Sequence, residues 1–95
     1  MLIETPYKNG DIVTIKSTNG DEIIGRLDEE SADQFTLNKP MLAVVHGEGI
    51  GMVPYVLTVS PETPIKLNRR NVAVTAKTAK PIADEYTKST SSLAI

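Results

Sequence analysis

The 95-residue chain has no cysteine and no tryptophan, and only one phenylalanine and one histidine. Without cysteine there is no disulfide, no thiolate nucleophile and no thiolate metal site, so nothing calls for an oxidising compartment and a cytoplasmic location is expected. A single histidine, His46, cannot build a transition-metal site without further ligands, and it has no nucleophile or carboxylate partner at a recognisable spacing. It reads as a loop or strand-end residue, with a stacking role as the alternative. No serine sits in a nucleophile elbow and no pair of carboxylates stands out from surface charge, so the chain is expected not to be an enzyme and to need no cofactor. No apolar run reaches the 18 or more residues of a membrane helix, and the N-terminal residues show no signal-peptide pattern, so no membrane partner is expected.

What is present points to β structure. Leu, Ile, Val and Phe number 25, enough for a folded chain but a thin core. Val, Ile and Thr number 27, and these side chains are stiff at χ1 and suit a pleated surface. No long window carries apolar residues at helical spacing. A strand is expected over residues 11–17, with Val13 and Ile15 on one face, and Asn19-Gly20 marks a tight hairpin into a second strand over 22–28. Gly25 in the middle of that strand signals a bulge, a bend or a close backbone approach. Residues 28–32 read as a polar loop, 34–46 as a long strand bent at Pro40, and 47–51 as a glycine turn that lacks the Gly-Lys-Ser/Thr of a phosphate loop. Strands at 52–59, 65–68 and 72–76 follow, with Arg69-Arg70-Asn71 as a tight connection. Pro81 opens a short helix over 81–88, and the residues from Ser89 onward read as a tail.

The net charge of −2 is unevenly distributed. Residues 1–64 carry net −6, whereas residues 65–80 hold Lys66, Arg69, Arg70, Lys77 and Lys80 with no acid. Such a local excess suits an anion-binding edge or, equally, a solvated strand edge. The acidic group Asp28, Glu29, Glu30 and Asp33 misses the spacing of a calcium loop and reads as a solvated rim.

Residues 10–37 resemble the first motif of the Sm and Sm-like (LSm, Hfq-like) family, which includes the bacterial RNA chaperone Hfq. The matching residues are Asp11-Ile12-Val13-Thr14-Ile15, Asn19-Gly20, Ile23-Ile24-Gly25-Arg26-Leu27 and Asp33-Gln34-Phe35-Thr36-Leu37. Leu67-Asn68-Arg69-Arg70-Asn71-Val72 has the spacing of the second motif, with the basic residue displaced by one position from the family's Arg-Gly. Where many members have Asn four residues after the motif Asp, this chain has Leu37 followed by Asn38. The compact loops and small tail are similar to those of Sm-like proteins of bacterial viruses.

The resemblance implies an all-β, strongly bent five-stranded barrel over residues 1–80, with a helix and tail over 81–95. It also implies a cyclic homo-oligomer of about five to seven subunits, in which strands pair between neighbours and leave no open edge. By the same resemblance, single-stranded RNA would meet Asp33, Phe35, Asn38, Asn68, Arg69, Arg70 and Asn71 around the pore, as in an RNA chaperone. Each has a plainer reading: Phe35 as the filler of the core, Asn68 and Asn71 as turn residues, and the two arginines as solvated cations paired with Asp33 or Glu62. The alternative function is a scaffolding ring that binds a protein partner through 81–95, its RNA-binding residues degraded.

Overall fold

The structure, a computed structural model, describes residues 6–91. Six antiparallel strands are arranged in one sheet: β1 (Ile12–Ser17), β2 (Glu22–Glu30), β3 (Gln34–His46), β4 (Gly49–Pro54), β5 (Ile65–Asn68) and β6 (Val72–Lys77). A 3₁₀ turn, Arg69–Asn71, links β5 to β6, and one helix, α1 (Lys80–Ser91), ends the described chain. The spatial order is β4-β3-β2-β1-β6, with β5 paired to β3 beside β4. In place of the strongly bent five-stranded barrel expected from the sequence, six strands form a sheet that does not close. β3 gives one flank to two strands in succession, β5 along Gln34–Leu37 and β4 along Met41–His46, and among the described residues no ladder joins β5 to β6.

Local chemistry sets the turns. At the first hairpin Ser17 N–H reaches Asp21 O at 2.8 Å, and Gly20, at φ +98°, takes the left-handed position of a three-residue loop. At the β3–β4 hairpin only Gly47 and Glu48 lie between the paired residues His46 and Gly49, with Gly47 at φ +61°. The turn is thus shorter than the expected 47–51, and the fourth strand starts at Gly49 and ends at Pro54 instead of running over 52–59. The expected loop at 28–32 also shrinks. Asp28 is taken up as a bulge and β2 continues to Glu30, so that only residues 31–33 turn, with Ser31 N–H on Gln34 O at 2.9 Å.

The sheet buries both faces. One holds Val13, Ile15, Ile23, Leu27, Phe35 and Leu37, with Tyr7, Tyr55, Leu67 and Val72 at its margin. The alternation across paired strands sends Ile24 and Met41 to the other face, which α1 covers with Tyr86 and Ile82. The register between β2 and β3 slips opposite Gly25, where β3 carries one extra residue at Lys39-Pro40 and Lys39 adopts φ +49°. Gly25 eases a close approach there, since a Cβ would stand 3.2 Å from the Leu37 Cβ and Cδ1 atoms.

This slip leaves backbone groups without ladder partners, and Tyr86 meets them. Its hydroxyl accepts the Arg26 N–H at 3.2 Å and lies 2.8 and 2.9 Å from the Asn38 and Lys39 carbonyls, which share its single proton. Tyr86 is 2% exposed, and burial raises its phenol above the usual tyrosine value, partly offset by the Arg26 N–H and charge. The helix runs past the expected end at Lys88 because Thr90 is buried and its hydroxyl bonds Tyr86 O, while Lys39 Nζ reaches Thr90 O at 3.5 Å. Residues 89–91, expected in a tail, are helical, and the remainder of that tail lies outside the described residues.

Candidate interaction surfaces

The basic turn is built on a clasp of three segments. Asn68 caps the 3₁₀ turn through its side-chain oxygen, which accepts the Arg70 N–H at 3.1 Å. Arg69 N–H bonds Asp33 O at 2.8 Å, tying the turn to the β2–β3 loop. The Arg69 guanidinium then lies over the Phe35 ring, 5.0 Å from its centre, and donates to Glu30 Oε2 at 2.5 Å and Ser31 O at 3.2 Å. The other Glu30 oxygen accepts the Tyr7 hydroxyl at 2.8 Å. Burial, then the hydrogen bond and charge of Glu30, raise the Tyr7 phenol against the opposing charge of Arg69.

The residues assigned to RNA from the sequence are only partly brought together. Asp33, Asn68, Arg69 and Arg70 line one open depression with Lys66, Gln34 and Ala32. Phe35 is buried in the core beneath Arg69. Asn38 lies at the β3 bulge, where its carbonyl accepts from Tyr86, and Asn71 gives its carbonyl to Thr18 N–H at 2.8 Å. Arg69 pairs with Glu30, where Asp33 or Glu62 was expected. Neither Glu30 nor Tyr7 was singled out for this role, and a sequence offers no signal for a partner so far along the chain. Among the described residues no group of three or more metal-ligating side chains exists, and no helix is long and apolar enough to cross a membrane. His46 is the exposed last residue of β3.

A second surface lies at the sheet's ends. Among the described residues β4 and β6 each leave one flank unpaired. Val45 (87% exposed), Ile50 (52%) and Val74 (57%) are large apolar side chains open to solvent on or beside these edges. The register places Val45 opposite Ile50 and Val74 opposite Lys16. An edge strand with exposed β-branched residues invites another strand unless charge, proline or covering blocks it, and the six-residue β4 carries neither Lys nor Glu and has its proline, Pro54, only at its last position. Beside the β3 bulge an apolar groove is lined by Pro40, Met41, Pro54, Leu57 and Val59.

The fold and these surfaces define a small, mainly β protein with one C-terminal helix and an open sheet. No protein-family model matches the sequence, and no curated protein matches it. Among solved structures the chain is similar to a chain in the crystal structure of the NatC complex bound to CoA, with a TM-score of 0.53 and 18% identity. The match covers 90% of this chain and 97% of that one, so the likeness spans the whole fold.

Proposed function

We propose that the protein is a non-catalytic scaffold subunit of Sm-like type, which joins protein partners, copies of itself included, through the free edges of β4 and β6. The observation that carries this reading is the open sheet: two edge strands of six residues each, β4 and β6, stand at its opposite ends with one flank unpaired among the described residues and with Ile50 and Val74 exposed. Strand addition at such edges satisfies the backbone and buries the apolar side chains together. The whole-length likeness to a chain of a multi-subunit complex supports the same reading. The RNA-chaperone reading has less support, because the Phe35 ring that would stack on a base is buried and Arg69 is held by Glu30.

Native mass spectrometry of the purified protein tests the proposal. The expected result is a stoichiometric assembly above the 10.3 kDa of one chain, weakened by Ile50→Lys and by Val74→Lys. A lone chain that co-purifies with nothing would overturn it. An assembly unaffected by both edge variants would do the same, and nuclease-sensitive assembly would return the reading to RNA.

A further inference from the structure

We infer that the basic turn is a carboxylate-binding site which the chain fills with its own Glu30, and that an acidic segment of a protein partner takes the place of Glu30. This rests on the reading above that the partners are proteins and names their chemistry. The site is preorganised from below: the Phe35 ring supports the Arg69 guanidinium, and the Arg69 N–H is fixed on Asp33 O. Its present occupant shows which ligand fits, since Glu30 receives Arg69 on one oxygen and the Tyr7 hydroxyl on the other.

The occupant is also replaceable. The Arg69 and Glu30 side chains are 46% and 24% exposed, and an ion pair this open to water is worth little net. Beside it, Lys66 and Arg70 are exposed, form no ion pair among the described residues, and line with Arg69 and Asp33 an adjoining depression, which Arg69 joins to the one holding Glu30 and Tyr7. An incoming segment with several carboxylates therefore gains two further cations that Glu30 alone does not reach, and several weak contacts on one strand add as avidity. A single-stranded nucleic acid fits less well, because the Phe35 ring under Arg69 is buried and Tyr7, the aromatic residue beside Glu30, is held by its hydroxyl on that carboxylate.

The test is fluorescence anisotropy at low salt with a labelled poly-L-glutamate peptide, comparing the native protein, Glu30→Gln, Glu29→Gln and the double variant Glu30→Gln with Arg69→Gln. Glu29 is the exposed neighbour and controls for the change in net charge. Glu30→Gln is expected to bind about two- to fivefold more tightly than the native protein, the release of one solvent-exposed ion pair. The gain should vanish in the double variant, be missing in Glu29→Gln, and fall steeply with salt.

Equal affinity of Glu30→Gln and the native protein overturns the inference, as does an equal gain from Glu29→Gln. A gain seen with an oligouridine probe and not with poly-L-glutamate overturns it as well. Should Glu30→Gln fail to fold, titration of the native protein with the peptide, followed by NMR at the Arg69 Nε–H and the Glu30 side chain, decides the matter. Both must shift together, and a shift of neither overturns the site. Edge variants leave this measurement unaffected, so its failure is separate from failure of the assembly reading.

Discussion

The Tyr86 hydroxyl, on α1, lies 2.8 Å from the Asn38 carbonyl, 48 positions earlier in β3, and this bond fastens the helix to the point where the sheet loses its register. The same oxygen takes the Arg26 N–H from β2, so one side chain closes a gap that two strands leave open.

Tyr86→Phe keeps the ring in the apolar layer and removes that closure. The expected cost is about 1–3 kcal/mol, the price of leaving backbone groups of Arg26 and Asn38 short of partners. Thermal or urea unfolding followed by circular dichroism measures it, and a melting temperature within about a degree of the native value would contradict the role given to the hydroxyl.

Alkaline pH should act through the same group. Tyr86 and Tyr7 both have phenols raised above 10.0 in the folded chain, chiefly by burial. Below that value both states hold the proton and the contribution to stability is complete. Above it the unfolded chain ionises first, so stability falls as pH rises from about 10 through the raised folded values. Unfolding free energies measured across this range should decline, and less steeply in Tyr86→Phe.

Gly25→Ala tests the close approach of β2 and β3. The new methyl group would stand 3.2 Å from the Cβ and Cδ1 atoms of Leu37, a fully buried residue that would have to give way by a few tenths of an ångström. Overpacking of this kind costs about 1–3 kcal/mol. A variant as stable as the native chain in denaturant unfolding would show that β3 shifts freely at this point.

The two adjacent arginines should behave differently. Arg69→Ala removes the contact with Glu30, the bond to Ser31 O and the cover over Phe35, and is expected to cost about 1–2 kcal/mol. Arg70→Ala, whose side chain has none of these contacts, should stay within about 0.5 kcal/mol of the native protein. Equal losses in parallel denaturation curves would mean that the clasp adds nothing.

Much of this architecture is legible in the sequence where the signal is local. Asn19-Gly20 marks a real hairpin, Gly25 and Pro40 mark the two sides of one irregularity, and Pro81 stands in the first turn of α1. The errors come where a local rule gives two answers. Asp28-Glu29-Glu30 is as polar as a loop, yet a bulge and pairing to Phe35 and Thr36 hold it in β2. Tyr86 carries no mark of the bulge it closes, and Glu30 lies 39 positions from Arg69. Their roles appear only when the strands bring those positions together.

The shared flank of β3 has a consequence for how the chain tolerates change. β4 ends at Pro54, opposite Met41, and β5 begins at Ile65, opposite Leu37, so the ten residues between them join two strands moored along one rail. Neither mooring depends on the length of that link, and lengthening a surface loop costs only about 0.6 kcal/mol per doubling. Tyr55 packs on the core and its N–H bonds Pro40 O at 3.0 Å, so it is the exposed stretch 57–64 that can accept an inserted epitope or reporter while the registers on either side stay as they are.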